Sequence, residues 1–284
     1  MSICQAVNKT NGNPCRFKAV NSKYCDKHKD YINHDVYGTD GFTTTFAECA
    51  ENHKGMQQIK LNDKNIPAFT KLDLDNIISK WKGEHLLVNL RDNLINTEFY
   101  NKTVDAYVLI LKNFVNNKLE FFNELKALNW DTKFKDKGEV KNKKARHNIC
   151  FSDNSQEPDY EAGKGRIIPF NDVPILNNIK NELFKYTNLE LVAEGNRYYN
   201  INYCGIGYHG DTERKIVIGI RSGCDFPLKY RWFYQSKPIG DYININLKDG
   251  DLYIMSDKAV GHDWLLRNTV TLRHAAGCDD YTVI

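Results

Sequence analysis

The chain has no long hydrophobic run, no strong excess of one charge and no apolar segment at its start. None of its 284 residues lies in a run near the roughly 18 apolar residues that a membrane-spanning helix needs. The opening MSICQAVNKT also lacks the apolar core of a signal peptide. These absences argue against membrane insertion and secretion. With a net charge of only +3, any prediction of nucleic-acid binding must rest on local clusters.

Eight cysteines occur without a secretion signal, which favours reduced thiols in an intracellular compartment and metal binding by some of them. Residues 1–30 contain four candidate zinc ligands, the last two spaced C-x2-H. They are Cys4, Cys15, Cys25 and His28. A segment this short cannot bury a core, so a metal ion is a means of folding it. It resembles the small Cys3His zinc modules of large DNA virus proteins, which implies a zinc ion and a viral chain acting in the cytoplasm or nucleus of a host cell. A loop with unpaired thiols is the alternative.

Residues 31–117 show no recognisable chemistry and are predicted to be a mainly helical region of unknown role. Leu74, Ile77 and Trp81 recur at helical spacing, and Asp73 can cap the helix that they predict. A second helix is predicted from about residue 103 to 114.

The sequence pattern changes at residue 118, and residues 118–284 form the third predicted domain. Helices are predicted at 119–130 and 175–186, with a basic run after the first. After residue 189, short strands alternate with turns in the segments RYYNINYC, KIVIGIRSG, LKYRWFY, YININL, DLYIMS and TVTLRHAAG. Many short strands with turn signals predict a sandwich or barrel. The expected fold class is therefore α+β, with a β-rich C-terminal domain, a helical region before it and a small zinc module at the start.

Within this domain, the segment YHGDTER carries a candidate metal-binding pair. His209 and Asp211 are two residues apart, so on a strand both side chains leave the same face. Two histidines and one carboxylate form the face that binds Fe(II) and leaves positions open for oxygen and a co-substrate. A polar turn after a strand is the alternative reading of H-x-D by itself.

The order of motifs adds a family resemblance over roughly residues 118–284. FFNELKALNW, ARHNICFSD, GYHGD, GDLYIMS and TLRHAAG follow one another as in AlkB-like Fe(II)- and 2-oxoglutarate-dependent dioxygenases, which this region resembles. The resemblance implies a double-stranded β-helix, or jelly roll, with flanking helices. It also implies iron binding by His209 and Asp211, 2-oxoglutarate as co-substrate, and oxidation of a C–H bond.

The third iron ligand has two candidates. His274 follows the strand TVTLR and precedes Ala275, Ala276 and Gly277, whose small size suits a crowded metal centre. His262 lies at a distance after GDLYIMS that the resemblance also allows, in a segment that reads as a loop. His274 is the preferred candidate, and His262 is the alternative.

The resemblance also implies arginines that bind 2-oxoglutarate. Arg267 and Arg273 have the family's five-residue separation, although Thr269 stands where the family has asparagine. This pair fits His262 as the ligand. With His274 as the ligand Arg273 faces away, and Arg221, in the apolar strand KIVIGIRSG, is the better cation because a planar guanidinium suits a carboxylate. A structural salt bridge is the alternative role for Arg221.

The substrate prediction rests on cations and an aromatic residue before the H-x-D strand, where the family has its substrate lid. The candidates are Arg146, Tyr160, Lys164 and Arg166. They suit phosphates and a stacked base, so oxidative demethylation or hydroxylation of a nucleobase in DNA or RNA is the first hypothesis. The second is a hydroxylase of a protein side chain or small molecule. The third is a zinc-containing nucleic-acid-binding protein without catalysis.

Overall fold

The computed structural model describes residues 37–61 and 66–284, and within them strands predominate. The predicted zinc ligands Cys4, Cys15, Cys25 and His28 lie outside these ranges. The strands are β1 (Gly41–Ala47), β2 (Cys49–Glu51), β3 (Gln58–Lys60), β4 (His85–Asn89), β5 (Tyr107–Leu111), β6 (Lys133–Asp136), β7 (Glu139–Asn142), β8 (His147–Ser152), β9 (Ile167–Pro169), β10 (Val192–Tyr198), β11 (Gly205–His209), β12 (Ile218–Gly223), β13 (Leu228–Tyr234), β14 (Lys237–Ile245), β15 (Leu252–Met255) and β16 (Thr271–Gly277). The α-helices span Lys71–Lys80, Lys118–Lys126, Pro174–Thr187, Asp257–Val260 and Asp279–Thr282.

Two sheets and two hairpins account for these strands. The large sheet has the order β4-β5-β15-β12-β1-β10-β8-β9 and is antiparallel except between β8 and β9. The small sheet has the order β11-β16-β13-β14 and is antiparallel throughout. β2 pairs with β3 and β6 pairs with β7 as separate hairpins. The described chain is therefore α+β, with a large antiparallel sheet and few helices.

The side chains of β1 point alternately to the two faces of the large sheet, as in any strand. Phe42 and Phe46 point to one face, where Phe42 packs edge-on to Phe122 of helix Lys118–Lys126 and Phe46 stacks on Phe170. Thr43 points to the other face, toward a cavity. The helical layer thus lies on the side of the large sheet away from that cavity.

The opposite face of the large sheet packs against the small sheet. One buried cluster combines Val108 and Tyr253 of the large sheet with Tyr230, Trp232 and Leu272 of the small sheet. Trp232 is fully buried, and its indole N–H donates to the carbonyl oxygen of Leu90 at 2.9 Å. A shared apolar core of this kind holds the two sheets face to face.

The predicted helices near residues 73, 119–130 and 175–186 are confirmed, and so are the predicted strands after residue 189 except RYYNINYC, of which only Arg197 and Tyr198 lie in a strand, the end of β10. The first helix begins one turn earlier than predicted, because Thr70 is its N-cap and Asp73 completes a capping box.

The helix predicted at residues 103–114 is wrong, because Tyr107–Leu111 forms strand β5. Val108–Leu111 is a short, fully buried apolar run, and its spacing alone does not distinguish a buried helix from a strand. β5 lies between β4 and β15. The described part of residues 31–117 therefore supplies β1, β4 and β5 to the large sheet and is not mainly helical.

Residues Thr39–Ile284 form one compact unit, so residue 118 marks no break between structural domains. Among the described residues, no helix combines the length and apolar character needed to cross a membrane.

Candidate metal centre and its cavity

His209, Asp211 and His274 lie together at the end of the small sheet. β11 pairs with β16 in a register that places His209 directly opposite His274. Nε2 of His209 lies 3.7 Å from Oδ1 of Asp211, and Nε2 of His274 lies 3.8 Å from Oδ2 of the same carboxylate. One ligand atom from each residue falls within 4.8 Å of the other two. The three side chains can therefore bind a single metal ion.

A backbone contact orients His209 for this role. Its Nδ1 lies 2.8 Å from the carbonyl oxygen of Gly207, so Nδ1 carries the proton and donates it. The lone pair of Nε2 then faces Asp211. Histidine ligands in metal sites commonly donate their second ring N–H to an oxygen in this way.

The electrostatics of the cluster favour the ionisation states that bind metals. Burial, with a contribution from His209, lowers the pKa of His274 to about 3, so this imidazole is neutral at neutral pH. Burial by itself would raise the pKa of Asp211, but Arg214 and the neighbouring imidazoles outweigh it and lower the pKa. A neutral imidazole and an ionised carboxylate are the forms that coordinate metal ions.

Gly210 allows the H-x-D segment to pass close to a neighbouring loop. The N–H of Asp211 donates to the carbonyl oxygen of Val260 at 3.0 Å. A Cβ at position 210 would overlap the carbonyl oxygen of Gly261. Glycine at this position thus lets Asp211 be fixed by the backbone that follows helix Asp257–Val260.

A cavity of about 720 Å³ adjoins the cluster and is lined by residues of both sheets. Its polar lining includes Thr43 of β1, Glu194 and Asn196 of β10 and Arg221 of β12. Its apolar lining includes Ile206, Val217, Leu228, Met255 and Ala276. Apolar surface combined with convergent polar groups is typical of small-molecule sites.

Arg221 is a buried cation in the lining of this cavity. It is 1% exposed, yet no carboxylate oxygen of the described residues lies within 4.0 Å of its guanidinium nitrogens. Nη1 donates to the hydroxyl of Thr43, the guanidinium stacks on Phe226 at 3.7 Å, and Nε has no hydrogen-bond partner within the part of the chain that the structure describes. Burial lowers its pKa, although a guanidinium remains charged in proteins. A buried cation without an acidic partner is costly, so a structural salt bridge does not explain this arginine.

The alternative iron ligand His262 does not line the cavity, and neither do Arg267 and Arg273 of the predicted arginine pair. His262 lies in the loop after helix Asp257–Val260, with Nε2 4.0 Å from Asp257. Arg267 is exposed and precedes β16, which begins only at Thr271, so Arg267 and Arg273 do not share one strand. Arg273 points away from His274 because neighbouring residues on a strand face opposite sides. Of the three arginines predicted to bind 2-oxoglutarate, Arg221 lines the cavity and Arg267 and Arg273 do not.

Of the four candidate substrate residues, only Arg146 lines the cavity. Tyr160 donates to Asp131 at 2.9 Å, and the N–H of Arg166 donates to the same buried carboxylate. Lys164 is exposed. Asp131 thus holds Tyr160 and Arg166 in a hydrogen-bonded network, and neither residue lines the cavity.

Arg146 also lines a second, more open depression of about 890 Å³ beside hairpin β6–β7. The cations that border this basic groove are Lys133, Lys141, Lys143, Lys144 and Arg146. His53 stacks on Phe134 in the groove, with ring centroids 3.8 Å apart. Burial lowers the pKa of His53 to about 4, so its ring is neutral at neutral pH. His53 and Arg146 line both the groove and the cavity.

Several residues of the site had no predicted role. Arg214 is buried and forms ion pairs with Glu194 at 2.8 Å and Glu213 at 2.9 Å. Its position three residues after Asp211 is a feature of the local sequence that could have identified it as part of the site. Glu194 offered a weaker one, as an acid within the apolar strand LVAEGN. The sequence around Thr43 gave no such indication, since only the long-range pairing of β1 with β12 places Thr43 beside Arg221.

Comparison with known proteins relates the chain to a viral protein. No family model matches it. The chain is 46% identical over 246 residues to "Uncharacterized protein R156" of Acanthamoeba polyphaga mimivirus, covering 84% of this chain and 96% of the relative. The chain belongs to the family of that mimivirus protein. Because the match spans nearly all of the relative, the two proteins share their organisation over most of their length.

The two histidine candidates can be separated by metal binding. We expect His274→Ala to lower the affinity for Fe(II) by more than about 100-fold, because one of three ligands is lost. We expect His262→Ala to bind Fe(II) as the wild type does, since His262 lies outside the cluster. Anaerobic calorimetric titration measures both. Loss of binding in His262→Ala with retention in His274→Ala would contradict the ligand set.

The two glycines that flank His209 form a matched pair. Gly210→Ala is expected to reduce Fe(II) affinity and to lower the free energy of unfolding by about 1–3 kcal/mol, because overpacking displaces Asp211 from Val260. Gly207→Ala is expected to change neither, since the nearest atom to its new Cβ is 3.8 Å away. Urea unfolding and metal titration test both variants. Equal effects of the two substitutions would show that the close backbone contact has no special role.

Proposed function

We propose that the protein is an AlkB-like Fe(II)- and 2-oxoglutarate-dependent dioxygenase that oxidises a C–H bond of a nucleobase in DNA or RNA. The observation that carries this proposal is the position of Arg221. A buried guanidinium without an acidic partner lines the same cavity as two histidines and one aspartate. A metal chelate with a free distal carboxylate would satisfy both parts of such a cavity.

The fold is compatible with this proposal. A large and a small antiparallel sheet that share one core are what a double-stranded β-helix requires. The cluster lies where β11 and β16 of the small sheet meet, at one end of that core. We therefore assign the β-rich part to the jelly-roll class as part of the proposal.

His209, Asp211 and His274 would hold Fe(II), which when bound supplies the activation of dioxygen. Two imidazoles and a carboxylate are the donor set of non-heme iron oxygenases. The anion of Asp211 compensates one positive charge of the metal, while Gly207 and Val260 keep His209 and Asp211 in place through backbone contacts. Preorganised ligands of this kind lower the cost of binding.

Arg221 would bind the distal carboxylate of 2-oxoglutarate. Its Nε has no hydrogen-bond partner, and the hydroxyl of Thr43 already orients Nη1. The phenol of Tyr253 also lines the cavity, and burial raises its pKa to about 12, so it remains a hydrogen-bond donor. The apolar side chains of Val217, Leu228 and Met255 would exclude water from the reacting atoms.

The basic groove supports a nucleic acid as the substrate. Its exposed cations Lys133 and Lys144 suit phosphates, and the stacked His53–Phe134 pair offers a flat surface to a base. Because His53 and Arg146 line the groove and the cavity alike, a strand bound in the groove could place an extruded base in the cavity.

The test is formation of succinate from 2-oxoglutarate by the purified protein with Fe(II) and oxygen. We expect turnover that rises when methylated single-stranded DNA or RNA is added, with formaldehyde released from N-methyl bases. The matched control is His274→Ala, which should form no succinate. Substituting Lys133→Gln together with Lys144→Gln should remove stimulation by the oligonucleotide and preserve basal turnover.

The outcomes separate the rival functions. Succinate formation that no oligonucleotide changes would favour a hydroxylase of a protein side chain or small molecule. Protein that binds no iron and forms no succinate would overturn the enzyme assignment and leave a nucleic-acid-binding protein.

A further inference from the structure

The outer face of the small sheet carries two arginines directly opposite each other. Arg231 of β13 pairs with Arg273 of β16. The residue pairs on either side, Tyr230 with His274 and Trp232 with Leu272, are buried on the inner face. Since side chains alternate along a strand, both arginines project from the outer face, away from the metal cluster.

This pairing is unfavourable unless something compensates it. Like charges directly opposite on adjacent strands repel, because their Cβ atoms are only about 4.5–5.5 Å apart. No carboxylate oxygen of residues 37–61 and 66–284 lies within 4.0 Å of either guanidinium, whereas four other arginines of the described chain have such a partner. Those four are Arg91, Arg166, Arg197 and Arg214.

The hydrogen bonding of the pair is also incomplete. Nε of Arg231 and Nε of Arg273 are both buried and have no partner among the described residues. Arg231 donates through Nη2 to the carbonyl oxygen of Gly240 at 3.3 Å. Two partly buried cations with orphaned donors, facing each other, are the donor set that an anion with several oxygens would satisfy.

Aromatic rings border the pair and connect it to the cavity. The guanidinium of Arg273 lies 4.1 Å from the ring of Phe233 and 5.3 Å from that of Trp264. Tyr208 lies 5.9 Å from Phe233. Trp264 also lines the cavity of the metal cluster. The arginine pair therefore lies on a surface that reaches the cavity from the side of the small sheet.

We propose that Arg231 and Arg273 form a phosphate-binding site on the outer face of the small sheet, which holds the backbone of a nucleic-acid strand beside the cavity. Guanidinium groups bind phosphate oxygens through two parallel N–H donors. Arginines beside aromatic rings are the combination that binds single strands through phosphates and stacked bases. The choice of nucleic acid rests on the proposed function; the anion site itself rests only on the arginine pair.

The test is the salt dependence of oligonucleotide binding to the metal-free protein. Fluorescence anisotropy with a labelled single-stranded 12-mer compares the wild type with the double variant Arg231→Gln/Arg273→Gln. Each phosphate contact on a single strand contributes about 0.7 to the slope of log K against log salt. We expect the slope of the double variant to be shallower by about 0.7–1.4 and its affinity at low salt to be about tenfold weaker.

A matched control removes two positive charges elsewhere. Lys185 lies on helix Pro174–Thr187, and Lys82 follows the helix packed against it, in the layer on the other side of the large sheet. Lys82→Gln/Lys185→Gln should keep the wild-type slope. Thermal melts of the wild type and of both double variants show that each protein is folded before the slopes are compared. An unchanged slope in the arginine double variant would overturn the proposal.

A second arm distinguishes the source of the phosphate. Inorganic phosphate is titrated calorimetrically into the wild type and the arginine double variant at constant ionic strength. If phosphate binding depends on the pair while oligonucleotide binding does not, the site takes free anions and the nucleic-acid assignment is wrong. Because neither arm uses iron or 2-oxoglutarate, failure here leaves the dioxygenase proposal intact, and the reverse also holds.

Discussion

The register between β11 and β16 is the constraint on which the site depends. It sets His209 opposite His274 and so brings together two residues of the candidate metal centre that are 65 positions apart in the chain. A slip of one residue would turn Arg273 inward and His274 outward, because side chains alternate along a strand. The fully buried neighbours Tyr230 and Leu272 oppose such a slip, since it would move the inner face of the small sheet into solvent. The core of the protein and its site are thus fixed by the same pairing.

Some buried charged groups of the described chain pair with other protein groups, whereas Arg221 has no acidic partner there. Asp131 binds Tyr160 and the backbone of Arg166, and Arg214 is held by Glu194, so these buried charges are satisfied internally. Among the described residues, the guanidinium of Arg221 donates to the hydroxyl of Thr43, stacks on the ring of Phe226 and has no carboxylate within 4.0 Å. Burying a cation in this way costs stability, and such a cost is typical of binding sites, where stability is given up for function.

Local patterns predicted much of the β-rich region and the core of the site. Short apolar strands separated by turns were predicted after residue 189, and the H-x-D spacing predicted that His209 and Asp211 act together. The prediction from local sequence was wrong where apolar spacing is ambiguous, as for the apolar run that was predicted to be a helix and forms β5. It also failed where distant pairing decides the outcome: β1 supplies Thr43 to the cavity, and Asp131 captures Tyr160 and Arg166. Neither relation is encoded in neighbouring residues.

The most direct test of the role of Arg221 compares the 2-oxoglutarate affinity and the thermal stability of the wild type with those of one variant. Anaerobic calorimetry measures 2-oxoglutarate binding to the Fe(II)-loaded wild type and Arg221→Met, and thermal melts of both proteins follow. Loss of a charge-assisted contact of about 2 kcal/mol predicts an affinity about 30-fold weaker. Removal of an unpaired buried cation predicts a higher melting temperature for the variant. Unchanged affinity for 2-oxoglutarate, or a melting temperature lowered by several degrees, would contradict the assignment of this cavity.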